Sequence, residues 1–358
     1  MRTLVISDLH LGARPGTAVL ERASVRATLV EALSGVDRLI LLGDVLELRG
    51  GSLRRALDVA APVLADLGAA LGAETEVVVV PGNHDHRLLG PWRERRAVQS
   101  EAPMLELETE VDWRPDEPLA VLAESLAPAR VRAVYPGLWL RDDIYAIHGH
   151  YLDRHITVPI LERVGAGAML RLTGPPRDRD GADAYEAILS PMYDWADAVA
   201  EVGSGAGLGL QGRVWNGLQG RRRRRSWRQR SAAVLIPVGV AALNRAGLGP
   251  LNSDISGPEL RRAGLRAFDE VLSTLGISAP HVLFGHTHRA GPLPDDDPRE
   301  WTSSAGAALH NTGSWIHTPE FLGPAPTRSP YRPGFVTLVG ANGPPELVNL
   351  LDPSRSAG

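Results

Sequence analysis

Aspartate, asparagine and histidine side chains recur in five short motifs, each directly after an apolar run. The motifs carry Asp8 and His10, Asp44, Asn83 and His84, His148 and His150, and His286 and His288. Every candidate ligand atom is oxygen or nitrogen, a set that suits Mn, Fe, Zn or Co better than thiophilic metals. These groups are too many for one ion and natural for two, and two ions ~3.5–4 Å apart can clamp a phosphate and activate water. The motifs therefore predict a dinuclear metal site that acts on a phosphate.

Each motif taken alone has a simpler interpretation. Asn83 and Asp85 could cap a polar turn, because Pro81-Gly82 breaks the preceding run of valines and forces a sharp bend. A single aspartate or histidine is more often a capping or surface residue than a ligand. The recurrence of the pattern at five places favours the metal-binding interpretation.

The apolar runs before the motifs predict buried strands at 3–6, 38–42, 77–80, 144–147 and 281–284. Helical patterns at 19–33 and at 53–71, the second interrupted near Pro62, separate the first three strands. Strands that alternate with helices indicate a sheet covered by helices, in which ligands bind beyond the carboxyl ends of the strands. A helix over 118–126 and a half-buried strand over 130–135 follow. The runs at 309–315, 334–339 and 346–351 predict strands of a second sheet.

Composition excludes several kinds of chemistry. The 358 residues are 44% hydrophobic and 22% charged, which is typical of a globular protein. Cysteine is absent and all 38 basic residues are arginine, so thiolate, Schiff-base and Walker-type lysine chemistry are excluded. A formal charge of -4 gives no global indication of a nucleic-acid partner. Neither a secretory signal nor an apolar run of ~20 residues is visible, so we expect a cytoplasmic protein.

The motifs also resemble a known family. Asp8-Leu9-His10, Gly43-Asp44, Gly82-Asn83-His84-Asp85, His148-Gly149 and Gly285-His286-Thr287-His288 are similar, in kind and in order, to the motifs of calcineurin-like metallophosphoesterases. The resemblance implies an α/β fold, a two-sheet αββα sandwich with a dinuclear metal centre between the sheets. It further implies a phosphoester hydrolase whose metal-bridging hydroxide attacks phosphorus in line.

The resemblance also assigns a role to each matching residue. One ion would be held by Asp8, His10 and His288, the other by Asn83, His148 and His286, and Asp44 would bridge the two. The cofactors are then two divalent ions, manganese first, with iron, zinc or cobalt as alternatives.

Further residues follow from their places beside the ligands. His84 matches the histidine that stabilises the scissile phosphate or protonates the leaving oxygen, and Asp85 would orient it by accepting its other N–H. Arg14, Arg87 and His150 follow three of the motifs and are predicted to bind substrate. A turn-closing role for His150 and a solvated position for either arginine stay open.

The predicted core is interrupted by a long insertion. We expect core residues at 1–154 and 257–351, a helical insertion or lid at 155–256, and a tail at 352–358. Loops of this length in a compact domain are usually functional. Helices are predicted at 157–172 and 184–202 within the insertion, and another from about Pro258 to the stop at Gly276.

One stretch of the insertion, 213–243, combines a basic run at 221–225 with tryptophans and an apolar segment. Such a stretch suits peripheral contact with an anionic membrane, although its arginines could also bind nucleic-acid phosphates or remain solvated on a helix face. The membrane interpretation is preferred to nucleic acid because the apolar segment has no obvious use on DNA. Oligomeric state is not visible in the sequence.

Residues 130–153 resemble the UDP-2,3-diacylglucosamine hydrolase-like branch of the family. In that branch a helical cap over the metal site takes up acyl chains. His84 and His150 depart from the branch's bacterial enzymes, and the insertion sequence does not match. The preferred substrate is a bulky phosphodiester or pyrophosphate, lipid- or nucleotide-linked. The alternatives are a nuclease or protein phosphatase of the same fold, or a non-catalytic metal-binding interaction module.

Overall fold

The computed structural model describes residues 1–49, 51–99, 103–156, 181–202, 257–323 and 325–352. The strands are β1 (Thr3–Ile6), β2 (Arg38–Leu42), β3 (Glu76–Val80), β4 (Glu108–Glu110), β5 (Arg130–Arg141), β6 (Ile144–Ile147), β7 (His281–Phe284), β8 (Ala308–Asn311), β9 (Phe335–Val339) and β10 (Glu346–Asn349). The α-helices are α1 (Ala23–Ala32), α2 (Leu53–Leu71), α3 (Gly90–Ala97), α4 (Pro118–Ser125), α5 (Gly181–Val202), α6 (Gly257–Leu275) and α7 (Pro319–Leu322).

One long strand joins the two halves of the sheet. The order is β10-β9-β1-β2-β3-β5-β6-β7-β8, with β4 paired to β5 outside this path. The first part of β5 pairs in parallel with β3, and its second part pairs antiparallel with β6. Strands β1, β2 and β3 are mutually parallel, as are β6, β7 and β8. Hence the carboxyl ends of the parallel strands lie at the same edge within each half.

Both faces of the central strands are buried, which explains their almost continuous apolar runs. Val5, Ile40 and Val78 share a core with Leu138 and Ala146 of the other half, so the two halves pack face to face. The alternate residues of the same strands, such as Leu4, Leu39 and Val77, pack in the core that includes the helices. The two-sheet α/β sandwich expected from the family resemblance is therefore present.

Two sequence predictions about the elements were wrong. Helix α2 runs from Leu53 to Leu71 without an interruption at Pro62, because Ala60 and Val63 on either side of the proline pack in the same core. Strands β9 and β10 do not belong to the second sheet. They extend the first half, where β9 pairs antiparallel with β1.

Only part of the insertion is described. The helix predicted over 184–202 is observed as α5 (Gly181–Val202), whereas the helix predicted over 157–172 and the stretch 213–243 lie outside the described residues. Among the residues that are described, no helix is long and apolar enough to cross a lipid bilayer.

Candidate metal centre

The predicted ligands lie at the carboxyl ends of five strands. Asp8 and His10 follow β1, Asp44 follows β2, Asn83 follows β3, His148 follows β6, and His286 and His288 follow β7. Two backbone hydrogen bonds, from the Asp8 N–H to Gly43 O and from the Gly285 N–H to His148 O, hold neighbouring ends together. Glycine is required at position 43, because a Cβ there would overlap the His148 ring. The turns thus bring together side chains that are far apart in sequence.

Backbone strain is concentrated at these residues. Within the described part of the chain, five residues other than glycine have a positive φ, and all five are predicted ligands. They are Asp8, His10, Asp44, His286 and His288, with φ between 46° and 64°. Such a conformation costs about 1–3 kcal/mol per residue and persists at functional sites where the surrounding structure enforces it.

Four side chains form the first ligand group: Asp8, His10, Asp44 and His288. His288 Nε2 lies 3.1 Å from both Asp8 Oδ1 and His10 Nε2. His10 Nε2 lies 3.7 Å from Asp44 Oδ2. Asp8 and Asp44 are buried, and the His288 side chain is 23% exposed.

The second ligand group consists of Asp44, His148 and His286, with the Asn83 amide between them. Asn83 Oδ1 lies 3.3 Å from His148 Nε2 and 3.1 Å from His286 Nδ1. The same oxygen that faces His10 in the first group, Asp44 Oδ2, lies 3.3 Å from His148 Nε2. One carboxylate oxygen therefore faces both groups.

The donor set fits cations. Asp8 Oδ1 is buried, and its 3.1 Å contact with His288 Nε2 lacks hydrogen-bond geometry, so it faces the first group without a donor among the described residues. Asn83 turns its amide oxygen toward Asp44 Oδ2, 3.3 Å away, and toward two ring nitrogens. A bound cation favours this orientation of the amide, whereas without a cation the reversed amide would donate to the same atoms. Together with the O- and N-only ligand set, these positions suit two divalent ions.

Neighbouring groups set the orientation of the rings. His148 Nδ1 lies 2.9 Å from Leu42 O, which leaves Nε2 as the ligand nitrogen. His286 Nε2 lies 2.9 Å from Asp153 Oδ1, which instead leaves Nδ1 facing Asn83. Carboxylates and carbonyls commonly select the tautomer of a metal-binding histidine in this way.

Glu47, and not Asp85, orients His84. Glu47 Oε2 lies 2.9 Å from His84 Nδ1 and 3.1 Å from His10 Nδ1. The prediction that Asp85 accepts a hydrogen bond from the ring N–H of His84 was wrong, because the Asp85 carboxylate is turned toward backbone amides. It accepts from the N–H groups of Gly82 at 2.6 Å and Val45 at 2.7 Å. Asp85 therefore ties the turn after β3 to the loop after β2.

The predicted substrate residues are scattered. Arg14 is exposed, and Arg87 is half-buried in a short 3-10 helix, His86–Leu89. His150 is fully buried behind His148, and its Nε2 lies 3.0 Å from the hydroxyl of Tyr135. The predicted contact of His150 with substrate is therefore corrected to an interior hydrogen bond.

Sequence reasoning missed two residues beside His84. Glu47 is buried three residues after Asp44, and no motif indicated that it contacts His84. Arg49 carried no motif, yet its Nη1 lies 3.5 Å from His84 Nε2 and its Nη2 lies 3.1 Å from the amide nitrogen of Asn83. The side chain of His84 is 18% exposed, so this corner is open to solvent.

Asn311 has a role that its motif did not indicate. Its Nδ2 donates to Gly285 O at 2.8 Å and to Thr287 Oγ1 at 3.0 Å. It thereby braces the loop that carries His286 and His288.

Buried carboxylates raise the pKa of two histidines. Burial alone would lower the pKa of His10, but the hydrogen bond to Glu47 and the charge of Asp44 raise it to about 9. Burial likewise opposes the charge of Asp44 at His148, whose pKa is raised to about 10. The site therefore holds positive charge strongly, either as protons or as metal cations.

We expect the metal-free protein to lose stability as the pH rises from neutral to about pH 10. In the folded state the pKa values of His10 and His148 are about 9 and about 10, above the ordinary value of 6.5. The protonated rings therefore stabilise the fold fully below pH 6.5, and this stabilisation is lost as the pH rises through about 9 and 10. Thermal melts of EDTA-treated protein across this range measure the effect. Saturating Mn²⁺ should reduce the decline, because cations then replace the protons. A melting temperature that stays constant without metal would contradict the assignment.

Comparison with known families gives one match. Residues 1–180, half of the chain, match the family model described as calcineurin-like phosphoesterase. The match includes the motifs from Asp8 to His148 and ends before His286 and His288. No curated protein matches the chain.

Solved structures give only distant similarities. A cold-active protein-tyrosine phosphatase of a psychrophilic Shewanella species is 12% identical, with 97% of this chain and 80% of that chain covered and a TM-score of 0.31. A dimetal phosphatase from Danio rerio is 13% identical, with 98% and 99% covered and a TM-score of 0.34. At these scores the similarities carry no argument about this site.

Proposed function

This chain belongs to the calcineurin-like phosphoesterase family of metal-dependent phosphoester hydrolases, and from that premise we propose that it cleaves a phosphodiester or pyrophosphate bond in a bulky, lipid- or nucleotide-linked substrate. The observation that carries the two-metal, hydrolytic part of the proposal is the position of Asp44 Oδ2, whereas the substrate class rests on the sequence resemblance. Asp44 Oδ2 faces His10 at 3.7 Å in one ligand group and His148 at 3.3 Å in the other. A shared carboxylate oxygen is what two adjacent ions require.

The ligand roles proposed for the chain follow the two groups. Asp8, His10 and His288 hold one ion, Asn83, His148 and His286 hold the other, and Asp44 contacts both. When bound, such ions lower the pKa of a water molecule and neutralise charge on the phosphate. Mn²⁺ is the proposed metal.

His84 is proposed to hold the proton for the leaving oxygen. Glu47 Oε2 lies 2.9 Å from His84 Nδ1, so Nε2 is the nitrogen on the side of Arg49, where the substrate phosphate is proposed to bind. The backbone N–H of His84 donates to Asp44 Oδ1 at 2.8 Å, which fixes the backbone of His84 beside the proposed ligands. A proton donor in this position suits a bond whose leaving group is an alkoxide or a phosphate.

Arg49 is proposed as an arginine that binds the substrate phosphate, in place of Arg14, and Arg87 stays a proposal beside it. Its guanidinium is within 3.5 Å of His84 Nε2, whereas Arg14 is exposed and not connected to the site by any described contact. Guanidinium and phosphate form paired, charge-assisted hydrogen bonds.

A substrate screen with parallel metal analysis tests the function. Protein loaded with Mn²⁺ should cleave bis-p-nitrophenyl phosphate and nucleoside-diphosphate-linked lipids in preference to p-nitrophenyl phosphate. Preference for single-stranded DNA would identify a nuclease, and preference for phosphopeptides a protein phosphatase. Loaded protein that cleaves none of them would favour the non-catalytic binding module.

The predicted membrane contact through 213–243 remains a proposal about residues outside the described ranges. Co-sedimentation with anionic liposomes tests it, alongside a salt titration of DNA binding. DNA binding with a steep salt dependence and no liposome binding would contradict it.

A further inference from the structure

A glutamate whose side chain is only 12% exposed anchors the inserted helix α5 to the core. Glu186 Oε1 accepts hydrogen bonds from the hydroxyls of Tyr135 at 2.5 Å and Tyr151 at 2.8 Å, and Oε2 lies 3.1 Å from His86 Nε2. The Ser190 hydroxyl also donates to Oε2. Tyr135 lies in β5, and His86 and Tyr151 lie in the turns after β3 and β6, so one side chain attaches α5 to three parts of the core.

The charge state of this contact makes it strong. Burial would raise the pKa of Glu186, but the charge of His86 and the hydrogen bonds outweigh it and hold the pKa well below its ordinary value. Burial and the charge of Glu186 raise the pKa of Tyr135 well above its ordinary value, so the phenol keeps its proton and donates. Hydrogen bonds to an ionised group are about twice as strong as neutral ones.

Tyr193 lies two helical turns beyond Glu186, on the same face of α5. It is fully buried, and its ring packs against His86 and His150 at centroid distances of 5.3 and 5.7 Å. Its hydroxyl has no hydrogen-bond partner among the described residues. The contacts of Tyr193 are therefore made by its ring.

The ring of Tyr193 also supports Arg49. The guanidinium carbon lies 5.3 Å from the ring centroid, within the range of a cation–π interaction. At its other side the same guanidinium approaches His84 Nε2 and Asn83. Arg49 thus lies between Tyr193 of the inserted helix and two residues of the proposed site, His84 and Asn83.

We propose that Tyr193 is a positioning residue, which holds Arg49 where the substrate phosphate binds, so that α5 completes the site. The proposal rests on the proposed function, since it assigns a role toward the same phosphate. An arginine side chain loses much rotamer freedom when it is held in one place. The ring of Tyr193 lies on a helix that Glu186 anchors, so it can hold Arg49 in place before the phosphate arrives. Less side-chain entropy of Arg49 is then lost when the phosphate binds.

Tyr193→Leu tests the proposal with inorganic phosphate as the probe. Loss of a cation–π contact predicts about 5- to 30-fold weaker binding of phosphate to the Mn²⁺-loaded protein, measured by calorimetry. KM for the best substrate should rise by a similar factor, with kcat and metal content little changed. Tyr193→Phe should keep wild-type binding, because the hydroxyl has no hydrogen-bond partner among the residues that the structure describes. If Tyr193→Leu fails to fold, Tyr193→Met keeps the bulk and should show the same loss.

A double-mutant cycle decides whether Tyr193 acts through Arg49. Arg49→Ala combined with Tyr193→Leu should bind phosphate no more weakly than Arg49→Ala alone. Additive losses, or wild-type binding by Tyr193→Leu, would overturn the proposal. Asp194→Asn, at an exposed neighbour that pairs with Arg93, is the matched control and should bind as the wild type does. Phosphate binding stays measurable even if no substrate is cleaved, so the two proposals can fail separately.

Discussion

Asp44→Asn should remove both ions from the protein and, with them, its hydrolytic activity. Asparagine keeps the shape of the side chain but removes the charge that Oδ2 presents to both ligand groups. Replacing a partner outside the ligand set typically costs ~10–100-fold in metal affinity or activity, and loss of a shared ligand should exceed that. Metal content after gel filtration and kcat/KM toward the best substrate measure the two effects.

A matched control lies at the other end of the same strand. Asp37 directly precedes β2 and its side chain is 59% exposed, so Asp37→Asn should keep both metal and activity. An Asp44→Asn protein that retains two equivalents of metal would show that the two groups do not share this carboxylate.

His84→Ala should keep both ions while turnover falls by ~10²–10⁴-fold, the usual contribution of a general acid. The side chain contacts Glu47, Arg49 and the ring of His10, at a centroid distance of 4.6 Å. It belongs to neither of the two proposed ligand groups, and among the described residues only with His10 and Glu47 does it form a third cluster that could hold a cation. The loss in kcat should be larger for an alkoxide leaving group than for p-nitrophenolate, which departs without a proton. Steady-state kinetics on matched alkyl and nitrophenyl diesters measure the difference.

An equal loss for both leaving groups would assign His84 to stabilisation of the phosphate and not to proton donation. Loss of metal from the variant would show that His84 helps to hold an ion, together with His10 and Glu47. His317→Ala, at an exposed histidine, is the control and should have no effect on either measurement.

Sequence pattern alone located the elements that carry the site. The apolar run 38–42 is strand β2 with the predicted bounds, and the turns after β1, β2, β3, β6 and β7 carry the predicted ligands. This was possible because a strand buried on both faces has a continuous apolar run, and the polar residues that end it must lie at its carboxyl end. Local composition contains that information.

The hydrogen-bond partners of His84 and Asp85 were not predictable from local sequence. Asp85 follows His84 directly and Glu47 is 37 residues away, yet Glu47 makes the contact. The Asp85 side chain is instead held by the amides of Gly82 and Val45, because unpaired buried N–H groups are costly to leave unsatisfied. Which neighbour a carboxylate meets depends on how two loops pack, and that is not a local property.

The sequence by itself thus determined the types of the predicted ligands, their order along the chain and the strands that present them. Only the tertiary structure decided that Asp44 Oδ2 faces both ligand groups, that β9 and β10 lie beside β1, and that α5 brings Tyr193 to Arg49. The physical reason is the separation along the chain between the residues that interact. Strand and turn formation follow from neighbouring residues, whereas shared ligands and supporting rings arise from side chains that meet only after the sheet and the inserted helix have packed.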